Sequence, residues 1–267
     1  MIWIVPIVAG VLLASGLALA YVIGGAAVLT FVLSDNTRYL AVLPQKVFSQ
    51  ISVFSLLAMP LFILAGELMN RGGVTKSLID LSMALIGRLR GGLGHVNIMT
   101  SVFFAGISGS AVADAAALSN TLVPAMRERG YTAEYAGAIT AASSIIGPIV
   151  PPSIMLIFYG ALMQTSVAAL FVAGIMPGLL LAAALFAVNG FFAWRDDHPR
   201  VEKGDAPNLF AAIFAALPAL CLPIIIVGGI ILGWMTPTEA AAVAVLAAVV
   251  AAFFYSPLTL ADIWESF

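Results

Sequence analysis

The sequence predicts an all-α protein that crosses a membrane several times. Of its 267 residues, 62% are hydrophobic and only 9% are charged, and the mean hydropathy is +1.11. In soluble domains about half of the residues are apolar and about a quarter are charged. Because a backbone in lipid must satisfy its own hydrogen bonds, apolar segments of about 20 residues indicate spanning helices. The net charge of −2 does not indicate a nucleic-acid partner.

Residues 1–34 contain no charged side chain. As one helix they would measure about 50 Å, too long for a single upright crossing. We therefore expect two short helices that fold near Gly16, and the alternative is one long, tilted helix kinked at Gly24 and Gly25. The N-terminus lacks a basic region and a small-residue cleavage site, so we expect a first span and not a signal peptide.

The next three segments differ in polarity. Residues 35–50 carry three charged side chains and indicate a loop or interfacial segment, whereas residues 51–70 form a clear span. Residues 74–90 predict an amphipathic helix at the membrane interface, because leucines recur at helical spacing between charged residues. The leucines are Leu78, Leu81, Leu85 and Leu89, and the charged residues are Lys76, Asp80, Arg88 and Arg90.

Residues 95–129 predict a re-entrant helical hairpin. Glycine and serine interrupt this apolar segment halfway, at residues 106–110, and each half has about a dozen residues, too few to span. The flanks on both sides are basic, so the chain enters and leaves on one side, which the positive-inside tendency places in the cytoplasm. Counting crossings outward gives a periplasmic N-terminus if residues 1–34 form two helices, and a cytoplasmic one if they form a single helix.

Residues 133–163 predict a span that is unwound in its middle. Gly147-Pro148 and Pro151-Pro152 interrupt it, and proline removes a backbone donor and clashes with the preceding turn. The remaining segments are three spans and a polar, cytoplasmic loop, followed by a short amphiphilic tail. The spans are residues 167–194, 209–233 and 237–255, the loop is residues 195–208, and the tail is residues 256–267.

Residues 106–117 have two interpretations. Their small side chains suit a helix-packing face. We favour a hairpin tip, in which unwound backbone carbonyls and the hydroxyls of Ser108 and Ser110 offer several oxygen ligands to a hard cation such as Na⁺. The helix that starts near Ala111 would direct its positive N-terminus at the same place, which favours an anionic group of a substrate.

The unwound stretch at residues 143–153 would complete such a site. Its carbonyls at Gly147, Val150 and Pro152 are expected to face the hairpin tip, because irregular backbone at this depth is tolerated where it is buried or lines a cavity. A proline kink without a ligand is the alternative. Asp114 either complements the dipole of its helix or is functional as a carboxylate inside the membrane. The candidates for the substrate region are Gly109, Ala111, Asp114 and Ser153.

The sequence gives no positive case for an enzyme. It has no cluster of metal ligands, no Ser-His-Asp set, no phosphate-binding loop and no GxGxxG motif. Broken helices at membrane depth are typical of transporters, so a solute transporter is the first hypothesis. An unrelated channel or a membrane-embedded enzyme is a further alternative that these residues do not favour.

Several strings resemble the large membrane subunit of the tripartite ATP-independent periplasmic (TRAP) transporters. Together they run through nearly the whole chain in order. The strings are residues 59–73 (MPLFILAGELMNRGG), 90–97 (RGGLGHVN), 108–118 (SGSAVADAAAL), 124–126 and 130–131 (PAM and GY), 143–153 (SSIIGPIVPPS), 159–160 (YG), 174–178 (GIMPG) and 236–242 (TPTEAAA).

The resemblance implies an elevator-type secondary importer of the bacterial or archaeal inner membrane, built from inverted repeats and driven by a Na⁺ gradient. Its substrates would be C4-dicarboxylates, sialic acid or other sugar acids. A periplasmic binding protein would deliver them, a small four-helix membrane subunit would complete the scaffold, and Na⁺ would be the only coupling ion, without a cofactor. By resemblance, the first Na⁺ site is formed by Ser108, Ser110, Gly147, Val150 and Pro152.

The resemblance also implies a division of the chain into functional parts. Residues 1–73 would be scaffold spans, residues 74–94 an interfacial arm helix, and residues 95–194 one half of the moving transport domain. Residues 209–267 would begin a second repeat that lacks its hairpin and its second Pro-Pro segment. We therefore expect a truncated or split gene product, or a part of a longer chain. In that case the alternative function is a non-transporting membrane scaffold or assembly partner.

Overall fold

A computed structural model describes residues 3–200 and 207–255. All regular structure in these ranges is helical, as predicted, with twelve α-helices and two short 3₁₀ helices. Three helical segments of the described chain are long and apolar enough to cross a membrane, namely Phe54–Arg71, Val167–Arg195 and Leu209–Ile231. The chain divides between Val53 and Phe54 into two compact units.

The first unit opens with two short apolar helices that pack against each other, α1 (Ile4–Ala14) and α2 (Leu19–Leu33). The chain turns between them at Gly16, whose φ of 81° is left-handed and therefore suits glycine. This confirms the prediction of two helices that fold near Gly16, and the single kinked helix is wrong.

The rest of the first unit is more helical than predicted. Residues 35–50 were expected to form a loop or an interfacial segment, but they contain a 3₁₀ helix at Thr37–Val42 and most of α3 (Leu43–Ile51). A proline in the first turn of α3 suits the helix start, because its missing N–H would have no partner there. Phe48 and Ile51 of α3 are exposed.

The second unit begins with a 3₁₀ turn at Phe54–Leu57, then α4 (Ala58–Arg71) and α5 (Val74–Ile86). The structure splits the predicted leucine stripe of α5. Leu78 and Leu81 are buried, and α5 packs against α6 and α11, whereas Leu85 is exposed. Leu89 is also exposed, but it lies beyond the end of α5, which stops at Ile86 and not at residue 90 as predicted. The N-terminal half of α5 is therefore held inside the protein, and only its end presents leucine to the surroundings.

Both predicted interruptions are present as breaks between helices. Helix α6 (Gly92–Ser108) is followed after two residues by α7 (Ala111–Glu128), which packs against it. Helix α8 (Ala133–Ser144) is followed by an irregular stretch of nine residues and then by α9 (Ile154–Met163). The pair α6–α7 begins three residues before its predicted start and ends one residue before its predicted end.

Three long helices complete the second unit, α10 (Val167–Arg195), α11 (Leu209–Ile231) and α12 (Pro237–Tyr255). The start of α12 is a reciprocal capping box. The backbone N–H of Thr236 donates to Glu239 Oε2 at 2.7 Å, and the N–H of Glu239 donates to Thr236 Oγ1 at 3.3 Å. Helix α12 packs against α4 with a face of buried alanines, Ala240, Ala241, Ala244 and Ala248.

The predicted polar loop begins directly after α10. Asp197 lies in this loop, and its carboxylate accepts a hydrogen bond from the guanidinium of Arg90, which lies just before α6. This ion pair connects the end of α10 to the start of the hairpin. Three further charged residues of this loop, Glu202, Lys203 and Asp205, lie outside the described residues, and so does the tail at residues 256–267.

Candidate functional site

The turn between α6 and α7 is short and consists of two residues, Gly109 and Ser110. Gly109 has a φ of 58°, in the left-handed region, and the next residue, Ser110, is extended. A Cβ atom on Gly109 would lie 2.5 Å from the carbonyl oxygen of Pro152. Glycine is therefore required twice here, once for its φ and once because the turn lies directly against the unwound stretch after α8.

Two serines shape this turn. The backbone N–H of Ser110 donates to Ser108 Oγ at 3.2 Å, and Ser110 Oγ accepts from the N–H of Ala113 at 3.4 Å as the N-cap of α7. Ser108 is buried and also donates its hydroxyl to Asp114 Oδ1. The two predicted hydroxyl ligands therefore lie at the hairpin tip, next to a carboxylate in the first turn of α7.

Asp114 is completely buried. Its Oδ1 accepts the bond from Ser108, whereas its Oδ2 has no hydrogen-bond partner. A Cβ atom on Gly147 would lie 2.6 Å from this Oδ2 and 3.3 Å from the carbonyl carbon of Ser110. Asp114 thus lies between the hairpin tip and the unwound stretch. This position favours the functional interpretation of Asp114 over simple complementation of a helix dipole.

The unwound stretch leaves oxygen atoms available. No backbone N–H of the described chain donates to the carbonyls of Gly147, Val150 or Pro152 outside the regular helices. Ser153 ends the stretch by capping α9, because its Oγ accepts from the N–H of Leu156 at 3.2 Å and donates to the carbonyl of Pro148 at 2.6 Å. Ser153 therefore has a structural role at this place.

The structure brings most of the predicted ion ligands together. Gly147 lies against Ser110, and Pro152 lies against the turn at Gly109. The side chain of Val150 points elsewhere, towards Gly178 of α10, where a Cβ atom would contact it. The ligand predicted at Val150 is its backbone carbonyl, to which no backbone N–H of the described chain donates outside the regular helices.

In front of the hairpin tip lies an open cavity of about 820 Å³. Ser108, Gly109, Ser110 and Ala111 line it, so the N-terminus of α7 lies at this cavity. Asp114 is absent from the lining of this cavity and lies behind the tip. The arrangement separates an enclosed group of oxygen atoms from a larger compartment that faces a helix N-terminus.

The opposite wall of this cavity was missed by sequence reasoning. It is formed by α4, through Gly66, Glu67 and Asn70. A Cβ atom on Gly66 would lie 3.4 Å from Ser108 Cα, so α4 contacts the hairpin tip closely. Glu67 also accepts from Arg71 Nε at 2.7 Å. In the sequence, the only indication that α4 contacts the hairpin tip was the glycine at position 66.

A second recess lies between α7 and α8 and measures about 500 Å³. Alanine, glycine and serine dominate its lining, among them Ala115, Ser119, Gly137 and Ala141. The two arms of the hairpin therefore differ, because α7 leaves a gap beside α8.

The donor set at the hairpin tip suits a hard monovalent cation. The described residues contain no group of three or more His, Cys, Asp or Glu side chains that would hold a transition metal. They offer instead one carboxylate with a bare oxygen, two hydroxyls and several carbonyls. A set of neutral oxygen ligands together with one negatively charged carboxylate fits the coordination chemistry of Na⁺.

Comparison with known proteins agrees with these features. Residues 7–267 match the sequence model of the family described as "Tripartite ATP-independent periplasmic transporter, DctM component". The chain is 42% identical over 233 residues to the sialic acid TRAP transporter large permease protein SiaM of Vibrio cholerae. The matched region covers 87% of this chain and 55% of that protein.

Two further relatives carry other substrate names. The chain is 39% identical to the 2,3-diketo-L-gulonate TRAP transporter large permease protein YiaN of Escherichia coli K12, over 96% of this chain and 60% of that protein. It is 34% identical to the C4-dicarboxylate TRAP transporter large permease protein DctM of Rhodobacter capsulatus, over 90% of this chain and 58% of that protein.

The chain therefore spans somewhat more than half of the length of these three relatives. All three are permeases and not enzymes, which agrees with the absence of a catalytic set from the sequence. Because the family match extends over almost the whole chain, the protein belongs to the DctM family of TRAP transporter membrane components.

Proposed function

We propose that this chain is part of the permease of a Na⁺-coupled importer of carboxylates, either C4-dicarboxylates or sugar acids. The observation that carries the proposal is the position of Asp114, buried between the hairpin tip and the unwound stretch with one oxygen unpartnered. The membership in the DctM family supports the transport of an anion.

The Na⁺ ion would be held by oxygen atoms from both broken segments. The ligands are the hydroxyls of Ser108 and Ser110 and the carbonyls of Gly147, Val150 and Pro152, with Asp114 as the nearby charge. A buried carboxylate without a counter-charge is costly. A cation at this place would offset that cost, and the bare Oδ2 of Asp114 supports this assignment.

The carboxylate of the substrate would bind in the open cavity, at the N-terminus of α7. The positive end of a helix favours an anion there, but the negative charge of Asp114 in the same turn opposes it. Na⁺ cancels that charge, so ion and substrate bind better together than separately. Couplings of this kind are typically about 1–3 kcal/mol, and they act equally in both directions.

The whole transporter would need further parts. By analogy with the family, these are a small four-helix membrane subunit, a periplasmic binding protein that delivers the substrate, and the lipids of a bacterial or archaeal inner membrane. The hairpin α6–α7 and the broken helix α8–α9 would belong to the moving body of an elevator, and the earlier spans to its static scaffold.

Transport by the reconstituted system tests this proposal. The complete permease that contains this sequence is placed in liposomes with its membrane partner and binding protein, and uptake of labelled sialic acid and succinate is measured. We expect uptake that needs an inward Na⁺ gradient and is lost when choline replaces Na⁺. Uptake that is indifferent to Na⁺ would contradict the proposal, and uptake by the 267-residue chain with its partners would exclude a non-transporting scaffold.

The two serines at the hairpin tip give a first prediction. We expect Ser108→Ala combined with Ser110→Ala to raise the half-saturating Na⁺ concentration for uptake by about tenfold or more, because a hydrogen-bonding group facing a charge contributes about 1.5–3 kcal/mol. Ser15→Ala is the control, since Ser15 is exposed and its hydroxyl donates to the carbonyl of Leu12 in the preceding turn. Equal effects of both changes would count against the ion site.

A further inference from the structure

A chain of buried polar side chains connects α6 to α8 inside the second unit. Its members are Asn97 and Ser101 on α6, and Thr140 and Ser143 on α8. The exposed fraction is 0% for the first two, 2% for Thr140 and 0% for Ser143. None of them belongs to the proposed ion or substrate site, and the two helices that carry them are largely apolar.

The hydrogen bonds among these four side chains run in one direction. Ser101 donates to Ser143 Oγ at 3.0 Å, and Ser143 donates to Asn97 Oδ1 at 2.9 Å. The amide nitrogen of Asn97 then donates to Thr140 Oγ1 at 2.6 Å, and Thr140 donates to the carbonyl of Ala136 at 2.8 Å. Each hydroxyl proton and one amide proton of Asn97 thus has a protein acceptor, without water or an ion.

A satisfied network fixes how two helices lie along each other. Shifting α6 against α8 by one turn would deprive the Asn97 amide and the Ser101 hydroxyl of these partners in an apolar interior, which is unfavourable. The hydroxyls of Thr140 and Ser143 keep an acceptor on α8, the carbonyls of Ala136 and Thr140. Hydrogen bonds between membrane helices contribute modestly one by one. Here three of them join one pair of helices within about two turns, so they define a single register.

Both helices lead directly into the candidate site. From Ser101, α6 continues for about two turns, roughly 10 Å, to Ser108. From Ser143, α8 ends one residue later and the unwound stretch with Gly147 follows. The register between α6 and α8 therefore sets the distance between the hydroxyls of the tip and the carbonyls of the stretch.

We propose that Asn97, Ser101, Thr140 and Ser143 are positioning residues, which hold the hairpin tip and the unwound stretch at the spacing that the coupling ion requires. The proposal rests on the Na⁺-coupled function proposed above. These residues do not contact the ion or the substrate, and they act only through the helices that carry the ligands.

Thr140→Val tests this role, because valine keeps the shape of threonine and removes its hydroxyl. In the complete transporter we expect the half-saturating Na⁺ concentration to rise about threefold to twentyfold, the range that corresponds to one interhelical hydrogen bond in a membrane protein. The maximal uptake rate at saturating Na⁺ stays near that of the wild type, and Thr140→Ser, which restores the hydroxyl, restores the Na⁺ affinity.

Thr100→Val is the matched control. Thr100 is as buried as the network residues, at 0% exposure, and lies on α6, but its Oγ1 has no hydrogen-bond partner. The same substitution at this position removes a hydroxyl that joins nothing, so the Na⁺ affinity should stay unchanged. Equal Na⁺ affinities of Thr140→Val and the wild type would overturn the proposal, and so would equal shifts in both valine variants.

A second measurement separates this proposal from the proposed function. Hydrogen–deuterium exchange of the amides in residues 145–153 should become faster in Thr140→Val and stay unchanged in Thr100→Val, with or without Na⁺. If wild-type uptake ignores Na⁺, the proposed function fails, and the exchange rates then decide the positioning role on their own. Unchanged exchange in Thr140→Val would overturn that role.

Discussion

Replacing Asp114 by asparagine is expected to raise the half-saturating Na⁺ concentration for uptake by about a hundredfold or more. Removing one partner from a buried ion pair costs about 3–5 kcal/mol, and Asp114 is the buried charge next to the proposed ligands. The same change removes the negative charge that opposes a carboxylate at the start of α7. Binding of the substrate without Na⁺, measured by calorimetry on the complete transporter, should therefore become tighter.

The matched control is Glu134→Gln. Glu134 is also a first-turn carboxylate, on α8, but it is exposed. If Asp114 only complements a helix dipole, its replacement would lower thermal stability by about 0.3–1 kcal/mol. That loss would be the same in Na⁺ and in choline, and the Na⁺ affinity would not change. This result would contradict the role of Asp114 at the ion site.

Replacing Gly147 by alanine is expected to raise the half-saturating Na⁺ concentration by about tenfold to a hundredfold. The added Cβ would lie 2.6 Å from Asp114 Oδ2 and 3.3 Å from the backbone of Ser110, so the two broken segments must move apart. Overpacking of this kind costs about 1–3 kcal/mol. Na⁺-dependent uptake and the stabilisation of the purified transporter by Na⁺, relative to choline, would both report the change.

Gly137→Ala serves as the control for this change. Gly137 lies on α8, and a Cβ atom there would have nothing within 4 Å. Alanine is better than glycine in a helix by about 1 kcal/mol, so this variant should fold at least as well as the wild type. Thermal unfolding in choline shows whether Gly147→Ala itself is folded. A folded Gly147→Ala variant with wild-type Na⁺ affinity would exclude Gly147 from the ion site.

The local features of the candidate site could be predicted from the sequence. Gly109 and Ser110 break a helix because of their own conformational preferences, and the prolines at 148, 151 and 152 do so in the second segment. These signals depend on neighbours in the sequence. The fold of residues 1–34 into two helices was predictable for the same reason, since length and Gly16 decide it.

Contacts between distant positions could not be predicted in the same way. The contact between α4 and the hairpin tip depends on how Gly66 meets Ser108, and a glycine in an apolar helix is compatible with many partners. The leucines of α5 show the same limit. Their spacing predicts a helix, but the packing of α5 against α6 and α11 decides which of them is buried.

The network of polar side chains between α6 and α8 could be predicted in part. Asn97 and Ser101 are one turn apart, as are Thr140 and Ser143, so each helix has a polar face that its own sequence displays. That the two faces meet follows only from the packed structure, because a one-residue rotation of either helix would separate them.

The recess between α7 and α8 determines where a reporter group should be attached. Ser119 lines it and is partly exposed, so a fluorophore on a cysteine at this position would have room without displacing a packed side chain. Cys221 is the single thiol of the sequence, and Cys221→Ser gives a background without competing labels. Any movement of α7 against α8 would then change the emission of one dye.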